Sequence, residues 1–234
     1  MISVCMATYN GEKYLEAQLN SILPQLKEGD ELIISDDGSS DGTMSILSAL
    51  PSDNVRIFQN SFRNPVLNFE FALRMSTKPV ICFSDQDDIW LPGKRELMHK
   101  QLEDATQRLI VMNGQIVDAL GSPTGETIFE RWSTHPGFWN NLLRNTFMGS
   151  SMAFTADLKP YLLPFPSEIA MHDWWIGLMA EKLGEVRWLE ELTIQYRIHG
   201  NNASLKGSSI SQKLSWRINM LTAVNRRLKN RKIH

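Results

Sequence analysis

Four apolar runs alternate with four stretches of helical spacing in the first hundred residues of this 234-residue chain. The runs have the length and composition of β-strands, and each following stretch places apolar residues on one helical face. The strand candidates cover residues 2–8, 31–37, 55–60 and 79–85, and the helix candidates cover residues 11–27, 39–50, 68–75 and 92–105. Such alternation builds a sheet covered by helices. The sequence therefore predicts an α/β fold with a mostly parallel central sheet.

The second half of the chain is less regular. Residues 108–119 predict a strand or a strand pair, and residues 171–184 predict a helix that ends at Gly184. Residues 185–199 are typical of a β-hairpin, because the strand-like runs EVRWL and LTIQYRIH follow one another. No stretch has the composition of a linker, so we expect one domain.

Polar clusters follow three of the four predicted strands. They are ATYNGE at residues 7–12, SDDGSSDG at residues 35–42 and SDQDD at residues 84–88. In parallel α/β sheets, ligands bind outside the carboxyl ends of the strands. We therefore expect the three clusters to converge on one crevice.

The third cluster holds the carboxylates of Asp85, Asp87 and Asp88. Two unit charges ~4 Å apart repel by roughly 4 kcal/mol at an effective dielectric constant near 20, so the cluster requires either water or a cation. Asp85 and Asp87 share one side of an extended segment and offer oxygen ligands to Mn²⁺ or Mg²⁺. A solvated acidic loop is the alternative, but the position at the end of a buried strand favours a cation site.

The first two clusters are suited to a nucleoside. Asp36 or Asp37 could accept hydrogen bonds from a base or a ribose, although the same residues also suit a turn and a helix cap. Thr8, Tyr9 and Asn10 supply hydrogen bonds and a stacking surface at the neighbouring strand end. Together with the acidic cluster they predict a nucleotide site with a metal at its phosphate end.

The composition is that of a soluble globular protein, with 42% hydrophobic and 21% charged residues. No apolar run approaches the ~18 residues of a membrane span, and the first residues do not resemble a signal peptide. Cys5 and Cys82 both lie in apolar strand candidates, so we expect buried, reduced thiols in a cytoplasmic protein.

The charge is distributed unevenly. Residues 1–191 carry a net charge of −11, whereas residues 192–234 carry +9 and no acidic residue. The tail spaces its apolar residues as a helix does; they are Ile210, Leu214, Ile218, Leu221, Val224 and Leu228. Its surrounding cations are Lys213, Arg217, Arg226, Arg227, Lys229, Arg231 and Lys232. We expect this helix either to dock on the body or to lie on an anionic membrane surface. Without interleaved aromatic residues, nucleic acid is not an expected partner.

Three segments resemble the sequence blocks of inverting family 2 glycosyltransferases: MATYNGEKYLEAQLNSIL, ELIISDDGSSDGT and FSDQDDIWLPGK. The likeness continues through HDWW (172–175) and YRIHGNN (196–202), and is greatest to the bacterial rhamnosyltransferase-like branch. It implies a single Rossmann-like nucleotide-diphospho-sugar transferase domain at residues 1–205. Residues 1–107 would be its nucleotide-sugar-binding half and 108–205 its acceptor-binding half, followed by the basic C-terminal helix at 206–234.

The resemblance also implies roles for individual residues. The expected donor-nucleotide ligands are Thr8, Tyr9, Asn10, Glu12, Asp36, Asp37, Asp85 and Gln86. The expected ligands of Mn²⁺ or Mg²⁺ are Asp85, Asp87 and His199, with a hydrogen bond to the diphosphate or a structural role as the alternatives for His199. Asp173 matches the general base, and His172 stands where many relatives have an acid. The residues expected near the donor or acceptor sugar are Asp88, Trp90, His172 and Trp174, with helix packing as the alternative for Trp174.

The implied activity is metal-dependent, inverting transfer of a sugar from a nucleotide-diphosphate donor to a lipid-linked glycan acceptor in bacterial O-antigen or capsule synthesis. Rhamnose on dTDP is the first expectation and galactose or glucose on UDP the second. The protein would work in the cytoplasm, at the inner face of the cell membrane. A metal-dependent nucleotide-sugar hydrolase could use the same acids, although no phosphate-binding Gly-Lys-Ser loop accompanies them. A catalytically inactive assembly partner is disfavoured, because Asp85, Asp87 and Asp173 are all present.

Overall fold

A computed structural model describes residues 1–51, 53–103, 108–184, 186–200 and 209–231. The described residues form a sheet of nine strands in the order β3-β2-β1-β4-β8-β6-β9-β5, with β7 paired to β6. The strands are β1 Ile2–Thr8, β2 Glu31–Asp36, β3 Val55–Gln59, β4 Val80–Ser84, β5 Ile89–Trp90, β6 Leu109–Val117, β7 Pro123–Thr127, β8 Met152–Thr155 and β9 Val186–Arg197. Strands β1–β4, β6 and β9 run in one direction, and β5, β7 and β8 run against them. The predicted α/β fold with a mostly parallel sheet is confirmed.

Helices cover both faces of the sheet. They are α1 Leu15–Ile22, α2 Thr43–Ser48, α3 Pro65–Met75, α4 Lys94–Leu102, α5 Ile128–Trp132, α6 Phe138–Leu143, α7 Lys159–Leu162, α8 His172–Leu183 and α9 Ile210–Arg231. Side chains along β1 point alternately to the two faces of the sheet, so the hydrophobic core has two parts. Cys5 packs on the side of α3 and α8, whereas Val4 and Met6 pack on the side of α1.

The start of helix α3 is set by an N-cap residue followed by proline, and it positions two residues at the carboxyl ends of the strands. The Asn64 side chain accepts hydrogen bonds from the amides of Val66 (2.8 Å) and Leu67 (3.4 Å), and Pro65 occupies the first helical position. Asn68 is fixed to β2, because Ser35 Oγ donates to its Oδ1 at 2.5 Å. Asn68 and Phe69 therefore reach the carboxyl ends of β1 and β2.

The predicted hairpin at residues 185–199 is wrong. Residues Val186–Arg197 form one strand, β9, which is parallel to β6 over both of its halves. The register advances from Met112 opposite Leu189 to Asn113 opposite Leu192, so Glu190 and Glu191 bulge out of the pairing. One continuous strand can accommodate the acidic pair because both side chains are exposed.

Several smaller predictions have clear outcomes. Helix α8 ends at Gly184, whose φ of 80° is left-handed, as predicted. Cys5 and Cys82 are buried free thiols. None of the described helices has the length and apolar character to cross a bilayer. The predicted domain boundaries after residues 107 and 205, and Lys232 of the basic tail, lie outside the described residues.

Candidate active site

A cleft of about 470 Å³ opens at the carboxyl ends of β1, β2 and β4. We call its first side the strand-end wall, formed by Thr8, Tyr9, Asp37 and Gln86. We call a second group of lining residues the α8 wall, formed by Met148, Gly149, Met171, His172 and Asp173. Asp85 and Asp87 lie in the same cleft, so the predicted convergence of the three polar clusters is observed.

The strand-end wall is held by side chains that bond to one another. Asp36 is fully buried beneath it, where its carboxylate accepts hydrogen bonds from the hydroxyls of Thr8 (2.9 Å) and Ser39 (2.6 Å). The amides of Gly38 (3.1 Å) and Ser39 (2.9 Å) donate to the same carboxylate. Asp36 therefore shapes the turn after β2, and Asp37 is the member of the pair that lines the cleft.

Asp37 also fixes the entry to α3. Its carboxylate accepts hydrogen bonds from the amides of Arg63 (2.9 Å) and Asn64 (2.8 Å). Arg63 has a left-handed φ of 52°, and it lines the cleft together with Asn64. Sequence reasoning missed both residues, although Asn64-Pro65 is a recognisable helix start.

Gln86 joins the loops that follow β1 and β4. Its Oε1 accepts from the amide of Tyr9 at 2.9 Å, and its Nε2 donates to the Tyr9 carbonyl at 3.0 Å. A Cβ on Gly11 would lie 2.3 Å from Gln86 Oε1, so a larger residue at position 11 would displace the Gln86 amide from Tyr9. The exposed Tyr9 ring stands at the mouth of the cleft.

The acidic cluster carries more negative charge than its surroundings stabilise. Burial, followed by the charges of Asp88, Asp87 and Asp173, raises the pKa of Asp85 well above its usual value. Burial and Asp87 raise the pKa of Asp88 to about 7. Lys94 is one cation near the cluster; burial lowers its pKa to about 8, and its Nζ donates to the Ser150 carbonyl at 2.6 Å.

Asp87 is paired with a residue distant in the sequence. His199 Nε2 lies 2.7 Å from Asp87 Oδ2, and the His199 ring stacks on Tyr14 at 5.0 Å between centroids. Arg197 supports the pair from β9, because its Nε donates to the Asp87 carbonyl at 3.0 Å and its amide donates to Asp88 Oδ1 at 3.1 Å. Asp88 is therefore a buried support rather than part of the cleft lining.

The donor atoms of this region suit a divalent cation. Asp87 and His199 are already adjacent, and Asp85 faces the same cleft. Within the described residues, no three His, Cys, Asp or Glu side chains already converge on one point. Mg²⁺ and related ions use one or two carboxylates and take further oxygens from water and substrate phosphates, so a complete protein cage is not required.

Asp173 stands in the first turn of α8, with its carboxylate on the α8 wall. It is 8% exposed, and its Oδ1 accepts from the Trp174 amide at 2.5 Å. Burial raises the pKa of Asp173 to about 7, against the stabilising effect of that hydrogen bond. His172, the preceding residue, is also buried on this wall.

Besides Asp36, Asp88 and His199, four predicted residues lie outside the cleft lining. Trp174 packs inward, because its Nε1 donates to the Asn141 carbonyl at 2.8 Å, so the packing alternative describes it. Trp90 is buried under the Lys94 ammonium, 4.6 Å from the ring centroid. Asn10 and Glu12 accept hydrogen bonds from the amides of Ser40 (2.8 Å) and Gly42 (2.5 Å), so they hold the loop after β2.

Comparison with known proteins identifies the class of enzyme. Residues 3–155 match the model of glycosyl transferase family 2, and the chain belongs to that family of glycosyltransferases. The chain is 28% identical over 240 residues to the dTDP-rhamnosyl transferase RfbG of Shigella flexneri, covering 91% of this chain and 77% of RfbG.

Solved structures share the fold. The first 349 residues of S. aureus TarS with UDP-GlcNAc match with a TM-score of 0.74 at 18% identity, covering 95% of this chain and 66% of that one. A mannosyltransferase from Pyrobaculum calidifontis with GDP-Man and Mn²⁺ matches with a TM-score of 0.60 at 18% identity, covering 98% of this chain and 74% of that one.

Proposed function

We propose that this protein transfers a sugar, with inversion, from a nucleotide-diphosphate donor to a glycan acceptor, with Mn²⁺ or Mg²⁺ at the diphosphate. One observation carries the proposal. Asp173 and the acidic cluster share one cleft and are close enough for the Asp173 charge to contribute to the raised pKa of Asp85. A base and an anion-neutralising site within reach of one another are what this reaction needs.

Asp173 would act as the general base. A pKa of about 7 leaves a large fraction of the carboxyl ionised at neutral pH while keeping it basic enough to take a proton. As the acceptor hydroxyl loses its proton to Asp173, its oxygen bonds to the anomeric carbon from the face opposite the leaving group. The bond from that carbon to the diphosphate oxygen breaks, and the nucleoside diphosphate leaves with the electron pair.

Asp87, His199 and Asp85 are the residues that would hold the metal. When bound, the ion would neutralise charge on the diphosphate. On the protein side, Arg197 holds the backbone of Asp87, and Tyr14 holds the ring of His199. These contacts keep the two adjacent ligands in place before the donor arrives.

The donor is proposed from the relatives. The similarity to a protein named as a dTDP-rhamnosyl transferase favours dTDP-rhamnose, and UDP-galactose and UDP-glucose are the second choice. The acceptor is proposed to be a lipid-linked glycan of bacterial surface polysaccharide synthesis. Asp37, Tyr9 and Thr8 are proposed to receive the nucleoside, since they line the cleft on the strand-end wall.

Calorimetric titration with dTDP-, UDP- and GDP-sugars tests this proposal. We expect one nucleotide sugar to bind tightly with Mn²⁺ or Mg²⁺ and weakly after chelation, and Asp87→Ala to bind as the chelated protein does. Equal binding with and without metal would remove the metal assignment, and no binding to any donor would contradict the transferase proposal. Release of free sugar without an acceptor would favour the hydrolase.

We also propose that the N-terminal half of α9 meets an anionic membrane. The C-terminal half is docked, because Ala223 and Val224 are buried and Arg227 Nη1 donates to the Tyr161 carbonyl at 2.8 Å. Apolar side chains more than half exposed lie on the N-terminal half and on the adjacent α6; they are Ile210, Leu214, Ile218, Trp139 and Leu143. Arg217 links the two helices by donating to the Leu143 carbonyl at 2.6 Å.

Vesicle sedimentation tests this surface in the full chain. We expect Leu214→Asp with Ile218→Asp to lower binding to anionic vesicles, because the changes place charge on the inserted face. Leu120→Asp, at an exposed leucine in the turn after β6, is the matched control. Equal binding of both variants would remove the membrane assignment.

A further inference from the structure

A glutamine is buried in the apolar face of helix α1. Gln18 is 0% exposed and shares that face with Leu15, Leu19 and Ile22, which are buried as well. Burying an amide costs free energy unless the amide is hydrogen-bonded, so an apolar side chain would serve packing better at this position. The bonds that the amide makes therefore indicate what it contributes.

The Gln18 amide bonds to the point where β4 passes into the acidic loop, which we define as residues 85–91. Its Nε2 donates to Ser84 Oγ at 2.7 Å and to the Asp85 carbonyl at 3.0 Å. The Ser84 hydroxyl in turn donates to the same carbonyl at 3.2 Å. Both N–H groups of the amide are thus used on the first acidic residue of the loop and the residue before it.

Two further side chains hold the other end of the acidic loop. The Trp90 amide donates to Ser21 Oγ of α1 at 2.9 Å, and Gln25 Nε2, in the turn after α1, donates to the Leu91 carbonyl at 3.2 Å. Ser21 Oγ also lies 3.1 Å from Gln18 Oε1, so the amide presents its nitrogen to the loop. The loop is therefore held at both ends by one helix and the turn that follows it.

The acidic loop needs this restraint because its charges oppose its shape. Asp85 and Asp87 line the same cleft, and carboxylates that share a site repel one another. A loop with a free backbone would relieve the repulsion by turning one carboxylate away. A buried polar network whose bonds are all made fixes a single geometry. The contacts of Gln18 therefore keep the Asp85 carboxylate in the cleft before a cation arrives.

We propose that Gln18 is a positioning residue that holds Asp85 in place for the metal at the donor diphosphate. This inference rests on the proposed function, because Asp85 is one of the residues proposed to hold the ion. Gln18 is fully buried, so it touches neither donor nor acceptor and acts through Ser84 and Asp85.

Gln18→Met is the principal test, because methionine keeps the length of the side chain and removes the amide. Mn²⁺ binding is measured by electron paramagnetic resonance, which detects the free ion, with dTDP, UDP or GDP present as the donor titration selects. We expect the Kd of Mn²⁺ to rise roughly tenfold, a usual loss when a residue that supports a metal ligand is removed. The half-saturating Mn²⁺ concentration for turnover should rise by the same factor, and kcat at saturating Mn²⁺ should stay near the wild-type value.

Ser3→Ala is the matched control for lost stability. Ser3 is buried near the start of β1, far from the cleft end of that strand, and its Oγ donates to Glu31 Oε1 at 2.6 Å. Both variants lose buried hydrogen bonds, so each should lower the Tm by a few degrees. Only Gln18→Met should change the Kd of Mn²⁺. A purely structural glutamine would lower the Tm and leave that Kd unchanged, as Ser3→Ala does.

Ser84→Ala keeps the test decisive if Gln18→Met does not fold. It removes the hydroxyl that joins the Gln18 amide to the Asp85 carbonyl and leaves their direct bond, so we expect a smaller rise in the Kd of Mn²⁺. An unchanged Kd in Gln18→Met, or in Ser84→Ala when only that variant folds, would overturn the inference. An equal rise in Ser3→Ala would overturn it as well. Donor binding by the wild type that does not depend on metal would instead contradict the proposed function.

Discussion

The two walls of the cleft use their polar groups in opposite ways. On the strand-end wall, Asp37 accepts two backbone amides and Gln86 bonds both backbone groups of Tyr9. On the α8 wall, Asp173 is buried with a raised pKa and both nitrogens of His172 lack a hydrogen-bond partner in the described chain. The hydrogen bonds of the strand-end wall fix its shape before any ligand binds. The α8 wall instead keeps polar groups that are not satisfied within the protein, which lowers the stability of the fold.

This contrast assigns different consequences to mutations on the two walls. Changes on the strand-end wall should loosen loops and weaken donor binding and stability together. Changes on the α8 wall should reduce turnover and leave stability equal or higher, as is common where a site is functionally strained. Asp85 of the acidic cluster lines the same cleft and is coupled to the α8 wall, because the charge of Asp173 contributes to its raised pKa.

Asp173→Asn should have the largest effect on the rate. Asparagine cannot accept the acceptor proton, so we expect kcat to fall by roughly 10²–10⁴-fold, the usual contribution of a general base. The calorimetric Kd of the donor should remain the same, because Asp173 belongs to the α8 wall and the nucleoside is proposed to bind on the strand-end wall. Turnover at the wild-type rate would contradict the base assignment, and lost donor binding would contradict the division between the walls.

The same variant should change how stability depends on pH. The folded pKa of Asp173 is about 7, above the unfolded value near 4, so the folded state binds the extra proton between these values. This contribution to wild-type stability is fully present below pH 4 and is lost as the pH rises through 7. Asp173→Asn lacks that loss, so its advantage over the wild type in the free energy of unfolding should grow from pH 5 to pH 8 by about 3 kcal/mol.

Denaturant unfolding at pH 5 and pH 8 measures this difference. Asp53→Asn, at an exposed carboxylate near the start of β3, controls for the change in net charge and should have a small effect at both pH values. If the free energies of unfolding of Asp173→Asn and the wild type differ by the same amount at both pH values, the pKa of Asp173 is not raised by folding.

The strand-end wall could be predicted from the sequence because each of its residues directly follows a strand in the chain. Each strand ends in a turn-forming cluster, and parallel strands bring those clusters to one edge. The sequence alone could not tell which of Asp36 and Asp37 lines the cleft. That depends on contacts with Thr8 and with the segment before α3, which are distant in the chain. It also failed at residues 185–199, where Glu190 and Glu191 bulge within one strand that β6 supports on both sides of the bulge.

The α8 wall was predictable only in part. The HDWW segment located Asp173 and His172 at the start of a helix, but not which side chains would be buried together. The environment of His172 depends on Phe69, Phe83 and Gly149, three residues from separate elements. Trp174 follows the same rule, because Asn141 of α6 supplies the carbonyl that turns its indole away from the cleft.

Asp37→Ala should have the smallest of these effects and the clearest signature of the strand-end wall. The change leaves the amides of Arg63 and Asn64 without their acceptor, so we expect a loss of about 1–3 kcal/mol in the free energy of unfolding. Donor affinity should fall as well, because Asp37 lines the cleft.

Asn64→Ala is the matched comparison, since it removes the cap of α3 and leaves the Asp37 carboxylate in place. If both variants weaken donor binding equally, Asp37 acts through the loop alone. A larger loss of affinity in Asp37→Ala at equal stability would assign its carboxylate a direct contact with the nucleoside.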